Sequence, residues 1–345
     1  MARFAVMTWN VENFFPVGAL VSPQSRTPVT QQAFDAKLNF VAPFILQQQP
    51  DVVALQEIGG RDASDSSVIE ALQARLQGEY PHRAMSMHPD SRRIRVAFLS
   101  RLPIAGEINF SAFPAGPMGS IQTLTSEPRT SMSRGALKIE VEPRAGVRIQ
   151  IVTAHLKPKL LTYPRPGGRT SFQPANENER AFAAGVALFA RAAEAAAIRA
   201  FLNAEIENAG AADLRTIVLG DLNDGPLAAT TQLLLGPADG DIQTADSLDP
   251  VRLHNVTDAV PLRGTQFKTF LPDNERYSRV NEGRPELIDN VLASKNLIFE
   301  GGAFKVISAR SFVELIEGQS VTSDPNDRVD ATAPDHAPVM VEFDV

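Results

Sequence analysis

The sequence predicts a mixed α/β fold in which buried strands end in polar residues. Apolar and β-branched runs alternate with helical stretches along the 345 residues. In VVAL (residues 52–55) and IVL (residues 217–219) the apolar residues are continuous, which is typical of strands buried on both faces. No Pro/Gly/Ser-rich linker, charge block or internal repeat marks a boundary, so we expect one domain over residues 1–345.

Four predicted strands stop at a polar residue: RFAVMTW, DVVALQ, RIQIVTA and RTIVLG. Two polar clusters instead precede a strand, in LIDNVLAS and APDHAPVMVEF. Because the start of one strand lies beside the end of its antiparallel neighbour, both kinds of cluster can occupy one sheet edge. The side chains that we expect to converge there are Asn10, Glu57, His155, Asp221, Asn223, Asp289, Asp335 and His336.

Helical stretches are predicted near residues 30–48, 66–77 and 176–208. Pro43 lies inside the first of them and should bend or end that helix.

The most apolar long stretch, residues 181–202, carries charges at Arg191, Glu194 and Arg199, which a bilayer-spanning helix would tolerate poorly. We therefore expect no stable membrane insertion. Helical spacing of the apolar residues instead predicts an amphipathic helix that faces the core. The predicted core positions are Phe182, Val186, Phe189, Ala193, Ala196 and Ala200.

Composition restricts the chemistry. The chain contains no cysteine, which excludes disulfides, thiolate metal ligands and a cysteine nucleophile. Any metal must therefore bind oxygen and imidazole, which favours a hard cation. The formal net charge of −7 gives no general attraction to nucleic acid or to anionic membranes, so an anionic substrate must be held locally.

The N-terminal segment MARFAVMTWN has no small-residue cleavage pattern. We expect a cytoplasmic protein by default, or an exported one if a leader has been removed. The sequence carries no signal for an oligomeric state.

Each candidate residue also has a plainer interpretation. Asn10 can cap a turn, Glu57 can be a solvated strand end, and Asp335 can be a turn residue before a proline. The histidines can be satisfied by backbone carbonyls. Even VLGDLND, followed by Gly-Pro, is turn chemistry by itself. The combination on one predicted edge favours a catalytic site.

The motifs resemble the endonuclease/exonuclease/phosphatase superfamily. The matching pieces, in the family's order, are TWNVEN, VVALQEI, VAFLSRLPI, IVTAHL, VLGDLND, LIDNVLAS and PDHAPVMVEF, and they span residues 8–343. The resemblance implies a four-layer α/β sandwich with two mixed sheets face to face and helices outside. In motif style the chain is most similar to bacterial proteins classed as predicted nucleases.

Three positions depart from the usual family pattern. Asn290 stands where an aromatic residue or His often follows the Asp, and Pro334 replaces a common Ser. Arg134-Gly135 replaces a common Arg-x-Pro-like start of a strand. None of the three removes a catalytic side chain, and Arg134 is expected to bind substrate.

Hydrolysis of a phosphodiester needs neutralised charge on the phosphoryl oxygens and an in-line, deprotonated water. Glu57 is the first choice of Mg²⁺ ligand, with Asn10 supplying a neutral oxygen and Asp335 close by. Mn²⁺ is expected to substitute for Mg²⁺. Asp221 is the candidate general base, and Asn223 can fix the water or donate to the phosphoryl oxygen.

The histidines are expected to donate to the phosphoryl group. A carboxylate beside His336 would fix its tautomer and raise its pKa, and Asp289 fits that role. His155 can donate to another non-bridging oxygen or towards the leaving group.

A basic segment follows His155. Residues 156–176, LKPKLLTYPRPGGRTSFQPAN, contain no Asp or Glu, and their Pro and Gly content predicts a loop. The expected phosphate-tracking residues are Lys157, Lys159, Arg165 and Arg169. A solvated insertion is the alternative.

The resulting hypothesis is a Mg²⁺-dependent phosphodiester hydrolase with nucleic acid as the substrate, DNA or RNA. Two alternatives stay open: a phosphatase or phospholipase-type phosphodiesterase of the same fold, and a catalytically inactive binding module.

Overall fold

Two mixed six-stranded sheets pack face to face in the computed structural model of the chain, and helices cover the outer surface of each sheet. The structure describes residues 3–21, 27–62, 64–125, 127–209, 214–236, 251–257, 271, 273–300, 303–322, 328 and 331–345. The strands are β1 (Arg3–Phe14), β2 (Val52–Ile58), β3 (His82–Met85), β4 (Arg95–Ser100), β5 (Gly106–Ala112), β6 (Ser131–Arg144), β7 (Val147–His155), β8 (Tyr163–Arg165), β9 (Arg169–Ser171), β10 (Arg215–Asp221), β11 (Leu253–Asn255), β12 (Arg279–Asn281), β13 (Arg284–Glu286), β14 (Asp289–Ser294), β15 (Phe299–Glu300), β16 (Ala303–Phe304), β17 (Val306–Ser311) and β18 (Val339–Asp344). The α-helices are α1 (Gln31–Gln48), α2 (Ser67–Arg75), α3 (Glu177–Ala209), α4 (Ala229–Leu235) and α5 (Lys295–Ile298).

The two sheets share a local arrangement around their central strands. The first sheet has the order β17-β18-β1-β2-β4-β3, and the second has the order β11-β14-β10-β7-β6-β5. β1 runs parallel to β2 and antiparallel to β18, and β10 runs parallel to β7 and antiparallel to β14. The ends of two strands and the start of a third therefore meet at one edge of each sheet.

Alternation along the strands builds the four layers. Phe4 and Val6 of β1 lie in the core between the sheets, whereas Ala5 and Met7 lie in the layer that contains α1 and α2. On the second sheet, Ile217 faces the first sheet and the next residue packs in the layer of α3 and α4. Side chains on a strand alternate with a period of two, so each sheet is buried on both faces. This architecture confirms the four-layer α/β sandwich.

The same alternation aims the polar strand ends into the space between the sheets. Asp221 lies four residues beyond Ile217, and Asn10 lies four residues beyond Val6, so each continues the row that faces the other sheet. Asp221 pairs with His155 across the parallel β7–β10 ladder and with Asp289 across the antiparallel β10–β14 ladder. The convergence of strand ends and strand starts is confirmed for these residues.

A buried chain of polar side chains connects the sheets directly below the site. The Thr8 hydroxyl of the first sheet donates to Gln56 Oε1 at 3.2 Å, and Gln56 Nε2 donates to the Thr153 hydroxyl of the second sheet at 3.1 Å. All three residues are fully buried. Unlike the apolar contacts around it, this chain is directional and fixes how the sheets face each other.

One glycine allows a close approach of backbones beside the site. Gly220, the residue before Asp221, has φ 149°, and a Cβ placed on it would lie 2.0 Å from the carbonyl oxygen of Ala154. No side chain fits in that space. Glycine at this position therefore allows β10 to pair with β7 up to its last residue.

The predicted elements are present, with different ends. The strands predicted to stop before Asn10, Glu57, His155 and Asp221 include these residues. Pro43 lies inside α1 and does not end it, because the helix continues to Gln48.

The predicted core face of α3 is wrong in the N-terminal half of the helix. Phe182 and Phe189 are exposed, and small residues such as Ala183 and Ala187 are buried instead. Ala193 is buried as expected. By length and composition, residues 177–208 would suffice to cross a membrane, and half of the most apolar window is buried within the protein.

Candidate active site

His336 is held by Asp289, which comes from the other sheet. His336 precedes β18, and its Nδ1 donates to Asp289 Oδ2, the first residue of β14, at 2.6 Å. The Ser278 hydroxyl donates to the same carboxylate oxygen at 2.6 Å. Burial lowers the pKa of His336, but Asp289, Asp335 and Asp221 outweigh this effect and raise the pKa to about 10. The imidazole is therefore positively charged at neutral pH.

Asp221 lies at the centre of the site. Its Oδ2 accepts from Asn10 Nδ2 at 3.0 Å and lies 3.2 Å from His155 Nε2, and its Oδ1 accepts from the backbone N–H of Asn223 at 2.9 Å. Burial raises the pKa of Asp221 to about 6, although His336 opposes the shift. A carboxylate with this pKa is ionised at neutral pH and can accept a proton.

His155 contacts Asp221 directly and is neutral. Burial, with the nearby Arg134 guanidinium, lowers the pKa of His155 well below its ordinary value. Since the Nε2–H faces Asp221, the neutral ring leaves Nδ1 as an acceptor, and this atom has no partner among the described residues. The geometry makes His155 a partner of Asp221, and the predicted contact with substrate oxygens stays a prediction.

Asn223 is fixed by backbone contacts beside Asp221. Its side-chain Nδ2 donates to the carbonyl of Leu156 at 3.0 Å, and its φ of 53° lies in the left-handed region. Asparagine adopts this conformation more readily than most residues. The predicted contact of Asn223 with water or phosphate stays a prediction.

The proposed metal ligand Glu57 lies at an irregular end of β2. The pairing of β2 with β1 and β4 shifts register around Glu57, whose φ is 65°. Such a bulge re-aims a side chain, and a left-handed non-glycine residue costs on the order of 1 kcal/mol. Glu57 Oε2 accepts from the backbone N–H of Asn13 at 2.8 Å, and the φ of Asn13 is also positive, at 50°.

Asn10 and Asp335 lie at the same end of the first sheet. Asn10 pairs with Gln56, the neighbour of Glu57, across the β1–β2 ladder. Asp335 Oδ2 accepts from Arg279 Nε at 3.2 Å. Burial raises the pKa of Asp335, but His336, Arg279 and Arg328 more than offset it, so the net shift is downward and favours an ionised carboxylate.

A second buried charge cluster adjoins these residues and was not predicted. Glu12 is held by Arg328 through two bonds of 2.9 and 3.0 Å, and Lys37 donates to the carbonyls of Val11 and Glu12. Burial, with Asp335, raises the pKa of Glu12 to about 7 despite Arg328. Glu12 lies two residues after Asn10 on β1. The alternation of side chains along a strand could therefore have indicated that Glu12 points to the same side as Asn10. Nothing in the sequence indicates that Lys37 and Arg328 join it.

Arg134 is buried near the candidate catalytic carboxylates. Its Nε donates to Asp90 Oδ2 at 2.9 Å, and its NH1 is buried without a partner among the described residues. Glu57 and Asp221 both contribute to its electrostatic environment. A buried guanidinium with an unsatisfied N–H is suited to an anionic ligand. Its predicted role in substrate binding is consistent with this placement and stays a prediction.

The basic segment after His155 is partly neutralised by internal contacts. Lys157 Nζ donates to the carbonyls of Pro158 and Leu160, and burial lowers its pKa to about 8. Arg165 binds Glu179 through two contacts of 2.6 and 3.1 Å. The segment includes the β8–β9 hairpin in addition to the predicted loop.

Two basic side chains of this segment reach solvent. Lys159 lies 3.5 Å from Asp224 and 3.6 Å from Glu286, with half of its side chain exposed. Arg169 is exposed and makes no ion pair with a described carboxylate. These two residues are the better candidates for phosphate contact among the four predicted ones.

Asn290 points away from the site. It follows Asp289 on β14, so its side chain lies on the opposite face of the strand, where it accepts from Asn255 Nδ2 at 3.0 Å. The difference from the usual family pattern at Asn290 therefore affects packing beneath the helix layer and leaves the site between the sheets unchanged.

One group of described residues is close enough to hold a metal by geometry alone. Oxygen or nitrogen atoms of Asp221, Asp289 and His336 lie within 4.8 Å of one another, and Asp289 Oδ1 is buried without a partner among the described residues. His336 Nδ1 already contacts Asp289 Oδ2 at 2.6 Å, so Nε2 is the imidazole nitrogen that remains available to a metal.

Carboxylates and imidazoles lie buried at the common edge of two stacked sheets, an arrangement suited to acid–base hydrolysis. Residues 7–309 match the profile of the endonuclease/exonuclease/phosphatase family, and the chain belongs to this family. The match stops before Asp335 and His336, but His336 Nε2 lies 3.9 Å from Asp221 Oδ2 and 3.9 Å from Asp335 Oδ1. No curated protein matches the chain in sequence.

Solved structures share the fold at low identity. An endonuclease/exonuclease/phosphatase protein from Beutenbergia cavernae is 16% identical to this chain with a TM-score of 0.53, and the alignment covers 100% of this chain and 72% of that protein. The human Nocturnin catalytic domain with a bound sulfate anion has the same identity and TM-score, and the alignment covers 99% of this chain and 93% of that domain. D. rerio TDP2 in complex with a single-strand DNA product is 14% identical with a TM-score of 0.51 and covers both chains completely.

Proposed function

We propose that this protein is a Mg²⁺-dependent phosphodiester hydrolase that cleaves nucleic acid. The observation that carries the proposal is the position of Asp221, a buried carboxylate that contacts Asn10 and His155 and lies 3.9 Å from His336 Nε2. A proton acceptor and a cationic donor thus face one small space between the sheets. Hydrolysis of a phosphodiester needs this pair.

The three side chains predicted as metal ligands suit a hard cation. Glu57, Asn10 and Asp335 offer only oxygen atoms, and the chain has no cysteine, so the set fits Mg²⁺ with Mn²⁺ as a substitute. When bound, the cation neutralises charge on a phosphoryl oxygen.

The chain's own residues account for the proton transfer. Asp221 takes the proton of a water molecule as the water oxygen bonds to phosphorus and the ester P–O bond opposite breaks, and the departing oxygen then takes a proton from solvent. Asn10 and His155 orient the Asp221 carboxylate, and the backbone N–H of Asn223 holds its second oxygen.

His336 stabilises the charge that develops on the phosphoryl group. The Nδ1–H of His336 is hydrogen-bonded to Asp289, so the Nε2–H faces the site. Nε2 lies 3.9 Å from a carboxylate oxygen of Asp221 and 3.9 Å from one of Asp335. A positive donor held in a buried site needs no reorientation during the reaction. The unsatisfied N–H of Arg134 is a second donor for the same anion.

Nucleic acid is the substrate that the observations favour within the phosphodiesters. The exposed Arg169 and Lys159 lie on the segment that leaves the sheet directly after His155. A structural neighbour, D. rerio TDP2, is named as a complex with a single-strand DNA product. Basic side chains that follow a catalytic edge are suited to a repeating phosphate backbone.

A substrate panel with the purified protein and Mg²⁺ tests this function: single-stranded and double-stranded DNA, RNA, a phosphomonoester and sphingomyelin. We expect cleavage of a polynucleotide and loss of that cleavage in Asp221→Asn. Turnover of the phosphomonoester or of sphingomyelin alone would replace the nuclease with a phosphatase or a phospholipase-type enzyme. No turnover of any substrate with Mg²⁺ or Mn²⁺ would favour an inactive binding module.

A further inference from the structure

The loop between β3 and β4, residues 86–94, reaches from the first sheet to the second. The N–H of Gly135 in β6 donates to the carbonyl of His88 in this β3–β4 loop at 2.9 Å. A Cβ at Gly135 would lie 2.5 Å from the Cβ of His88, so a larger residue would push the loop away. The difference from the usual family pattern at Gly135 therefore lets a loop of one sheet lie against a strand of the other.

Asp90, in the middle of the β3–β4 loop, is fixed by the backbone of the loop itself. Its Oδ1 accepts from the N–H groups of Arg92 at 2.8 Å and of Ile94 at 3.0 Å. The N–H of Asp90 in turn donates to the carbonyl of Ile94 at 3.0 Å. These bonds hold one carboxylate oxygen and leave Oδ2 for a partner outside the loop.

The partner of Asp90 Oδ2 is Arg134, the residue before Gly135. Arg134 Nε donates to this oxygen at 2.9 Å, and the two side chains are only 6% and 11% exposed. A guanidinium is planar and its N–H groups form a fixed fork, so a bond at Nε restricts the directions in which the other N–H groups can point. NH1 of Arg134 is the buried group that has no partner among the described residues.

Arg134 lies near the catalytic edge of the second sheet. The β6–β7 ladder pairs Leu137 with Thr153, so Arg134, three residues earlier on β6, lies near the end of β7 at His155. Burial and the positive charge of Arg134 both lower the pKa of His155, in agreement with this position. The unsatisfied N–H of Arg134 is therefore close to the residues that are proposed to act on the phosphoryl group.

We propose that Asp90 is a positioning residue, which holds the guanidinium of Arg134 so that NH1 donates to a phosphoryl oxygen of the substrate. Asp90 binds Nε and leaves NH1 to the anion, so it acts through Arg134. The inference rests on the proposed function, in which Arg134 is a donor to the phosphoryl group.

A carboxylate beside an arginine can affect anion binding in two opposite directions. Its negative charge offsets that of the guanidinium, so removing this charge alone would strengthen anion binding. Its hydrogen bond fixes the direction of the guanidinium, and a hydrogen bond to an anion weakens steeply when the angle is poor. Because Arg134 NH1 is buried and must meet the anion in one direction, we expect the second effect to dominate.

The test measures binding of inorganic phosphate, which presents phosphoryl oxygens and needs no turnover. Its dissociation constant is determined by calorimetry with Mg²⁺ for the parent, Asp90→Asn, Arg134→Gln and the variant that carries both changes. Asp90→Asn cannot keep both sets of bonds, because one side of an amide is a donor. Asp90→Ser is a second variant, since a serine hydroxyl can keep a turn bond of the loop and is too short to reach Arg134.

Asp51→Asn is the matched control. Asp51 also accepts a backbone N–H, from Ala5 at 2.8 Å, and it lies directly before β2, whose other end carries Glu57. This control should bind phosphate like the parent.

We expect Asp90→Asn and Asp90→Ser to bind phosphate roughly tenfold more weakly or worse, because hydrogen bonds to charged groups contribute about this much. In the Arg134→Gln protein, Asp90→Asn should cause no further loss, since residues that act through one another are not additive. The inference is wrong if Asp90→Asn has the same effect with and without Arg134. It is also wrong if Asp90→Asn leaves phosphate binding unchanged or strengthens it, or if the parent binds no phosphate.

A second measurement observes the Arg134 side chain directly. In ¹H–¹⁵N correlation spectra, the arginine Nε–H signal that is absent from Arg134→Gln belongs to Arg134. In Asp90→Asn we expect this signal to shift or broaden while the backbone signals of β10 keep their positions, which also shows that the variant is folded. An Nε–H signal that stays unchanged would overturn the inference.

Hydrolysis of bis-p-nitrophenyl phosphate and of a polynucleotide by the parent protein separates this inference from the proposed function. A parent that binds phosphate in the expected Asp90-dependent way but hydrolyses no phosphodiester would overturn the proposed function. Asp90 would then still be the residue that positions Arg134 for an anion. A parent that hydrolyses a phosphodiester at a rate and with a phosphate affinity that Asp90→Asn does not change would overturn the inference alone.

Discussion

The imidazole of His336 and the carboxylate of Asp289 form a hydrogen bond of 2.6 Å that joins the two sheets at the catalytic edge. His336 precedes β18 of the first sheet, and Asp289 begins β14 of the second. The pair is buried, and its partner Ser278 is buried with it. The candidate catalytic group His336 on one sheet therefore takes its orientation from a carboxylate of the other sheet, which also stabilises its positive charge.

Asp289→Asn should change how stability depends on pH. The folded protein holds the pKa of His336 at about 10, above its ordinary value of 6.5, so the protonated imidazole stabilises the fold. This stabilisation is fully present below pH 6.5 and is lost as the pH rises towards about 10. In Asp289→Asn, the pKa of His336 should fall, so less stability should be lost between pH 6.5 and about pH 10.

Urea unfolding of the wild type and Asp289→Asn at about pH 6 and about pH 10 measures the effect. Asp35→Asn, a change at an exposed carboxylate of α1, is the matched control and should follow the wild type. Parallel pH dependence in the wild type and Asp289→Asn would contradict a charged His336–Asp289 pair.

Asp221→Asn should lower the rate of hydrolysis by roughly 10² or more, as loss of a general base usually does. The pKa of Asp221, raised to about 6, adds a signature in the wild type: kcat/KM should fall as the pH drops below about 6, because the protonated acid cannot accept a proton from water. A pH–rate profile measures this limb. A metal-replete Asp221→Asn protein with near-normal turnover would exclude Asp221 as the base.

Removal of divalent metal should abolish activity, and Mg²⁺ or Mn²⁺ should restore it. Glu57→Gln keeps the shape of the side chain and removes its charge, so it should raise the Mg²⁺ concentration for half-maximal activity by roughly 10- to 100-fold, the range typical of weakened metal sites. Titration of metal by calorimetry provides a second readout. Glu70→Gln on α2 is the control. Full turnover in excess chelator would refute the metal-dependent mechanism.

Arg169→Ala should weaken polynucleotide binding across all sequences and flatten its salt dependence. One lost phosphate contact lowers the slope of log K against log salt by roughly 0.7 to 0.9. Arg144→Ala is the matched control, because Arg144 is an exposed residue at the opposite end of the second sheet, where it ends β6. Identical slopes for wild type and Arg169→Ala would mean that the polynucleotide does not contact this hairpin.

Gly220→Ala should destabilise the protein and reduce activity together. The added Cβ would lie 2.0 Å from the carbonyl oxygen of Ala154, so β10 must move away from β7 next to Asp221. Overpacking of this kind costs about 1–3 kcal/mol. Urea unfolding with assays of the folded fraction measures both effects, and Gly225→Ala, where a side chain meets nothing within 4 Å, is the control. An unchanged unfolding midpoint would show that the β7–β10 ladder accommodates the methyl group.

The convergence of polar residues could be predicted because strand periodicity and pairing rules are local. Asp221 and Asp289 belong to adjacent antiparallel strands, and the polar positions at the strand ends already indicated a common edge. The face of each strand also followed from alternation, as for Asn10 relative to Val6.

The contacts that depend on distant loops could not be predicted. Arg328 reaches Glu12 from 316 residues away, and no local pattern connects them. Helical periodicity likewise failed for Phe182, because a hydrophobic stripe indicates which residues can be buried and not whether another layer covers them. In the first half of α3, Ala183, Ala187 and Ala190 are buried, whereas Phe182 and Phe189 are exposed.

The hydrogen-bonded chain from Thr8 through Gln56 to Thr153 has a consequence for heat inactivation. Catalytic groups on two sheets stay aligned only while the sheets keep one relative position, and apolar contacts alone permit small shifts because they are not directional. Breaking this chain lets the sheets separate slightly while every strand keeps its neighbours. On warming, enzymatic activity should therefore disappear a few degrees before the circular dichroism signal of the strands, because alignment between layers fails before the layers themselves unfold.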